Sequence, residues 1–354
     1  MSTYLFDNIQ KIEQIDQSKM VSLLYNLAEQ CEEAISIGKK AKLAKAKKVA
    51  NILFAGVGGS AIGGDLLRNY LASNLLVPFV VNRNYTLPNY VNASTLFIAS
   101  SYSGNTEETL SAYDCAKQKN AQILCITSGG KLADLAKQDG FPVIIIPPGL
   151  PPRTAIGYSF FPGLIALHQL GLIPDKRDEA REVIGLLTKL REQYTPSIAI
   201  EQNLAKQIAS RLYRKLAVVY ASGDRFESVV TRWRCQINEN SKCLANSQVF
   251  PELNHNEVVG WEVLKDLMNR MHVIYIRDKE DHPQVQKRFQ ITKELIHDYA
   301  DGITEVWTIG NSLLARLWSV IYLGDYVSYY LAILNEVDPT PVKKINYLKE
   351  KLTQ

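Results

Sequence analysis

Histidine and cysteine are scarce in this chain, with five of each, and neither type is clustered. Cys31, Cys115, Cys125, Cys235 and Cys243 are odd in number and form no CxxC pair. That argues against a disulfide framework or a thiolate zinc site, and for reduced thiols in a cytosol. The histidines show no HxH or HExxH spacing, so a dedicated metal site is not expected. An excess of charge of one sign is also missing. The net charge is +4 and spread along the chain, so neither nucleic acid nor a membrane is an expected partner, whereas a local site for a small anion is compatible with it. The basic run from Lys39 to Lys48 alternates with Ala and Leu and reads as a solvated helix face. No apolar run approaches membrane-spanning length. Met1-Ser2-Thr3-Tyr4-Leu5 lacks the basic and apolar regions of a leader, so a cytoplasmic location is expected.

What is present is an alternation of apolar strands and amphipathic helices along 354 residues, enough for two ordinary domains. After a helical lead-in, strands are expected at 48–55, 79–82, 95–99, 121–127 and 143–146, with helices between most of them. This pattern defines an α/β fold with an open, mostly parallel sheet covered on both faces. A proline-rich break at Pro147-Pro148-Gly149-Leu150-Pro151-Pro152-Arg153 ends the first sheet. A helix from about Tyr158 to Leu170 follows, and then polar, helical sequence from Pro174 to Gln202. A second alternation starts near Leu216, with strands near 247–250, 273–276 and 305–309, and suggests an internal duplication. A proline-initiated helix closes the chain.

The stretch Ser101-Tyr102-Ser103-Gly104-Asn105-Thr106 leaves the third strand and enters a helix. Backbone N–H groups and hydroxyls at a helix N-terminus favour an anion. Ser101, Ser103 and Thr106 supply more hydroxyls than one helix cap requires, so the turn reads as a phosphate cradle. Gly56-Val57-Gly58-Gly59-Ser60-Ala61 is only a loose match to a dinucleotide fingerprint. Asn82-Arg83-Asn84 stands where an acidic ribose contact would be, so the glycines suit a sugar or phosphate instead. Both turns leave the carboxyl ends of strands, where ligands bind in such sheets. Arg153 can hold a phosphate, steady an oxyanion or form an interdomain salt bridge. Glu239, between Asn238 and Asn240, is either a tuned general base or a helix-end cap. His255, between Asn254 and Asn256, is either a proton shuttle or part of a surface turn.

Gly58-Gly59-Ser60, the serine turn, Pro152-Arg153, Asn238-Glu239-Asn240 and Asn254-His255-Asn256-Glu257 stand in the same order as in the bifunctional phosphoglucose/phosphomannose isomerases, which this chain resembles from about Gly56 to Leu352. The serine turn alone indicates a sugar isomerase (SIS) domain; the two Asn-flanked motifs are more specific to the bifunctional group. The resemblance implies two flavodoxin-like SIS subdomains, each a mostly parallel sheet flanked by helices. These would be residues 1–155 (with the N-terminal helices) and 203–335, joined by connecting helices at 156–202 and followed by a helical tail at 336–354. It implies that Ser101, Ser103 and Thr106 hold a sugar phosphate and that Gly58, Gly59 and Ser60 line the sugar site. Arg153 would stabilise an enediolate, and Glu239 would move a proton between C1 and C2. His255 would assist ring opening from the partner subunit of a homodimer. A C-terminal lysine completes the site, with Lys349 preferred and Lys343 and Lys344 competing. Thr340 is the candidate for tolerance of the C2 epimer.

The implied activity is aldose–ketose isomerisation of glucose 6-phosphate and mannose 6-phosphate with fructose 6-phosphate through a cis-enediol. That chemistry needs a base, an electrophile and a distant anchor, and no redox cofactor or metal. The competing readings are a non-catalytic sugar-phosphate sensor, which would not need Glu239 and His255, an NAD-dependent dehydrogenase, and an isomerase of another hexose or amino-sugar phosphate.

Overall fold

The computed structural model describes Leu5, Phe6 and residues 8–352; residues 1–4, read above for a leader, lie outside the described residues. The chain divides into two compact units. One is Asn26–Ile184; the other combines the chain up to Tyr25 with the chain from Gly185 onward.

The entering helices α1 (Ile9–Ile15) and α2 (Met20–Tyr25) belong to the second unit. The first unit then contains α3 (Leu27–Lys40), β1 (Asn51–Ala55), α4 (Gly59–Leu71), β2 (Phe79–Asn82), β3 (Thr95–Ser101), α5 (Glu107–Gln118), β4 (Gln122–Thr127), α6 (Gly130–Gln138), β5 (Val143–Ile145) and α7 (Ile156–Gln169). Its five strands are parallel, in the order β2-β1-β3-β4-β5. The apolar runs Ile52–Ala55 and Leu96–Ala99 are buried throughout, as strands covered on both faces must be. Strand order reverses between β1 and β3, and Ala55 is in register with Ala99. The glycine turn and the serine turn therefore leave the sheet side by side at its switch point.

Three features differ from the sequence reading. The basic run is not a helix face: α3 stops at Lys40, and residues 41–50 run as irregular chain. That segment is tied down by backbone contacts, Ala46 N–H to the Leu170 carbonyl (3.3 Å) and Lys47 N–H to Gln122 Oε1 (3.1 Å). Strand β3 runs on to Ser101, which pairs with Thr127 of β4, because strand pairing continues through the small hydroxyl residues. The first unit runs past residue 155, through α7 and into α8 (Arg177–Tyr194), so the division falls inside the stretch expected as connecting helices 156–202, while α1 and α2, expected with the first sheet, group with the second unit. Helix α7 is apolar on all sides and packs against α3 and α4, which keeps it with the first sheet.

The second unit continues with α9 (Leu204–Leu212), β6 (Leu216–Ser222), α10 (Gly223–Asn240), β7 (Ala245–Phe250), α11 (Lys265–Met268), β8 (Met271–Arg277), α12 (Pro283–Ile296), β9 (Gly302–Trp307), α13 (Leu313–Leu334) and α14 (Lys343–Leu352). Its parallel sheet has the order β7-β6-β8-β9, which repeats β2-β1-β3-β4 strand for strand. One expectation is corrected here. Helix α13, with 22 residues, is long and apolar enough to cross a membrane by length and composition, and its apolar window is wholly buried inside the fold. Its charges interrupt the apolar run in the sequence. In the fold, Arg316 pairs with Asp278 (2.8 Å) and Asp325 with Arg232 (2.8 Å).

His272 on β8 is buried, with Nδ1 2.9 Å from Asp301 Oδ2 and Nε2 2.9 Å from Thr304 Oγ1. Burial pulls its pKa below the usual imidazole range, against the opposing pull of Asp301. The folded state favours the neutral ring. The stability this contributes is complete above the unfolded pKa of about 6.5 and is lost as pH falls through that value towards the folded one. The melting temperature is expected to drop from pH 7 to pH 5, and His272→Asn is expected to flatten that drop.

Candidate active site

At the carboxyl end of the first sheet, the serine turn is built around its own hydroxyls. Ser101 is buried, Thr106 half-buried and Ser103 exposed. Ser101 Oγ and Thr106 Oγ1 are 2.8 Å apart, and the Asn105 N–H donates to Ser103 Oγ at 3.3 Å. Thr106 is the N-cap residue of α5, so these hydroxyls surround a helix N-terminus, the arrangement that suits an anion. Gly104 makes the turn possible. Its φ is +69°, and a Cβ there would stand 1.8 Å from the Gly129 carbonyl oxygen. Gly104→Ala is expected to cost about 2–3 kcal/mol of stability and to weaken phosphate binding in parallel. Thermal unfolding and titration with inorganic phosphate would measure the two effects.

The glycine turn and the proline loop close on the same place. A Cβ on Gly59 would lie 2.6 Å from the Pro152 carbonyl oxygen and 3.2 Å from the Arg153 nitrogen, so only glycine lets α4 start this close to Arg153. The Arg153 side chain is buried. Gln30 of α3 brackets its loop: its Nε2 donates to the Thr154 carbonyl (2.9 Å), and its Oε1 accepts from the Gly157 N–H (2.8 Å). Tyr102 joins all three segments. Its N–H donates to Ser60 Oγ (3.2 Å), its hydroxyl donates to the Pro147 carbonyl (2.9 Å), and the Leu150 N–H donates to that hydroxyl (2.9 Å). Gly58-Gly59-Ser60, Ser101, Ser103, Thr106 and Arg153 are thus grouped within the first unit.

The matching end of the second sheet is filled differently. Asp281 accepts from Ser222 Oγ (2.7 Å) and from the Asp278 N–H (3.0 Å). Asp278 accepts from Thr308 Oγ1 (2.7 Å) and Arg316 Nε (2.8 Å). Carboxylates of the chain take up the donors that a ligand anion would need, and burial raises the Asp281 pKa. Of the two switch points, the first is the one suited to a phosphate.

In the second unit, Glu239 lies in the last turn of α10 and is half-buried. Its carbonyl accepts from Lys242 Nζ (2.5 Å), which also donates to the Pro339 carbonyl (3.0 Å), so the end of α10 meets the loop that carries Thr340. The Asn240 amide donates to Ser328 Oγ at 3.0 Å in the buried interior. His255 is exposed on a short 3₁₀ turn, Glu252–His255, just beyond β7. The flanking asparagines brace that turn: Asn254 donates to Thr292 Oγ1 (2.8 Å) and Asn256 to Glu252 Oε1 (2.8 Å).

Topology separates Glu239 from His255. Strands β6 and β7 are parallel, with Ala217 beside Ala245 and Ser222 beside Phe250. Helix α10 leaves the carboxyl end of β6 and returns the chain to the amino end of β7, bringing Glu239 to the amino end. His255 follows the carboxyl end of β7. The length of the strand, about 20 Å, stands between them. Lys343, Lys344 and Lys349 are all exposed on α14. Helical geometry turns Lys349 by ~120–140° from the other two, so it faces a different direction.

Sequence reasoning missed Tyr102, Gln30 and Lys242. Tyr102 stood inside the serine turn without a role, and an aromatic between two serines was the one available signal; Lys242 lies two residues past the Asn238-Glu239-Asn240 motif. Gln30 has no local signal, because its partners are distant in sequence.

Two parallel three-layer units with a hydroxyl-rich turn after the third strand define the class of SIS-domain, phosphosugar-type proteins. Residues 42–149 match the SIS domain, and residues 201–352 match the bacterial phospho-glucose isomerase C-terminal SIS domain. The chain is 49% identical to a bifunctional phosphoglucose/phosphomannose isomerase of Caldicellulosiruptor bescii, covering 95% of this chain and 99% of that one. It is 37% identical to the protein of the same name from Aquifex aeolicus, covering 85% and 90%. Among solved structures, a putative phosphosugar isomerase from Clostridium difficile 630 superposes with a TM-score of 0.72 at 14% identity, covering 94% of this chain and 97% of that one, a likeness of fold. The chain belongs to the bifunctional phosphoglucose/phosphomannose isomerase family.

Proposed function

We propose that this protein interconverts glucose 6-phosphate and mannose 6-phosphate with fructose 6-phosphate through a cis-enediol. The observation that carries this reading is the 49% identity to the Caldicellulosiruptor bescii isomerase across 95% of the chain. The side chains supply the chemistry it needs.

Ser101, Ser103 and Thr106 anchor the phosphate, and Gly58, Gly59 and Ser60 let the backbone approach the sugar. The Glu239 carboxylate removes the proton from C2 of the open-chain aldose. The electron pair left behind forms the C1–C2 double bond, and the carbonyl π pair moves onto the oxygen at C1, which becomes an oxyanion and then takes the proton that the C2 hydroxyl gives up. Arg153 stabilises that oxyanion. The carboxylic acid formed at Glu239 then returns its proton to C1, while the hydroxyl at C2 loses its own and becomes the ketone. No electron leaves the substrate. The enediol has no stereocentre at C2, so one intermediate serves both aldoses. Thr340 is proposed to leave room for the second epimer, and Lys349 to complete the site from α14.

His255 opens the sugar ring by moving a proton to or from the ring oxygen. Its distance from Glu239 within one subunit supports a homodimer in which His255 comes from a second copy. The reaction is tested by supplying the purified protein with fructose 6-phosphate and assaying each aldose phosphate separately. Both products are expected. Binding of fructose 6-phosphate without either product would favour the sensor reading.

A further inference from the structure

Lys242 holds a backbone conformation that lysine disfavours. Helix α10 ends at Asn240, Ser241 caps it with its N–H on the Ile237 carbonyl, and Lys242 follows with φ +58°. This left-handed position after a helix end is the one glycine fills without steric cost. A lysine there is strained, and strain kept at a site points to a use for the side chain.

The ammonium shows that use. It donates to the Glu239 carbonyl at 2.5 Å and to the Pro339 carbonyl at 3.0 Å. A cation at a helix C-terminus also complements the helix dipole. The two carbonyls belong to the residue proposed as base and to the neighbour of Thr340. The Thr340 loop has its own ties: Ser18 Oγ donates to Asp338 Oδ2 (2.7 Å), and Asp338 Oδ1 accepts from the Thr340 N–H (3.0 Å). The helix end is likewise held without Lys242. Ser241 Oγ donates to the Ser328 carbonyl (2.7 Å), and Asn335 Nδ2 donates to the Ser241 carbonyl (2.9 Å). Lys242 therefore links two parts that are each already anchored. Its removal would change their spacing more than their folding.

We propose that Lys242 is a positioning residue for the isomerisation, fixing Glu239 against the Pro339–Thr340 loop so that the carboxylate meets the C1–C2 carbons in register. The inference rests on the reading of Glu239 as the base. A displacement of about 1 Å at a reacting group is enough to cost 10²-fold in rate.

The test uses Lys242→Gly and Lys242→Arg in the full-length enzyme, with Glu239→Gln as the control. Lys242→Gly removes the ammonium and the backbone strain together. Its melting temperature is expected to stay level or rise, with KM within about twofold and kcat down by about tenfold or more. Lys242→Arg, which keeps a donor, is expected to recover most of the rate. Parallel losses of melting temperature and activity in Lys242→Gly would reduce Lys242 to a structural tie and overturn the proposal. So would unchanged kcat in Lys242→Gly while Glu239→Gln is inactive. Near-normal turnover in Glu239→Gln would overturn the reading of Glu239 itself, and the role of Lys242 with it.

Discussion

Glu239→Gln is expected to lower kcat for both aldose phosphates by about 10³–10⁴-fold and to leave KM within about twofold. The amide keeps the shape of the side chain but cannot accept the C2 proton. Because one enediol serves both substrates, the two losses should match. Steady-state kinetics on glucose 6-phosphate and mannose 6-phosphate, each measured separately, read this directly. A loss confined to one epimer would mean that Glu239 selects substrate rather than moves the proton. A rise in KM at unchanged kcat would make it a binding residue.

The second large effect is a recovery. His255→Ala is expected to be slow, by about 10²-fold on ring-closed substrate, because ring opening loses its proton shuttle. Glu239→Gln is expected to be slow for a different reason, the loss of the base. Glu239 and His255 lie at opposite ends of the same sheet, which supports the proposal that His255 reaches the sugar from a second copy. In a mixed dimer, one of the two sites would combine the intact Glu239 of one copy with the intact His255 of the other. An equal mixture of the two variants, allowed to exchange subunits, should therefore reach about a quarter of wild-type activity. No recovery, in a preparation where differently tagged subunits have demonstrably exchanged, would place both residues in one subunit's site or remove His255 from the reaction.

Much of this was legible in the sequence because it is local. The apolar run before Ser101, the hydroxyls after it and Gly104 specify a strand, a turn and a helix start within a few residues. The serine turn stands where expected, although Ser101 itself ends the strand. The fold class follows from alternation and is seen in both sheets. The less legible features depend on partners distant in sequence. Helix α13 hides its apolar length behind Arg316 and Asp325, whose charges are matched only when Asp278 and Arg232 fold against them. The run from Lys39 to Lys48 has helical composition, but irregular chain follows Lys40 because backbone contacts to Leu170 and Gln122 fix it. Helix α7 stays with the first sheet because it is apolar all round, a property that a proline-based boundary does not register. The use of Asn240 on Ser328 depends on where α13 packs. The lysine of the tail is undecided by spacing for a related reason. Lys343, Lys344 and Lys349 are all exposed, and the helix points them in different directions.

The most direct test of the central claim is to run the isomerisation of fructose 6-phosphate in D2O and read deuterium at C2 of the glucose 6-phosphate and mannose 6-phosphate formed. A carboxylate that takes up and returns a proton through an enediol loses part of it to solvent on each passage, so after many turnovers at equilibrium both aldoses should carry deuterium at C2. Products that still carry no deuterium at C2 after many turnovers would mean that hydrogen passes directly between the carbons, which would contradict a proton-transfer role for Glu239.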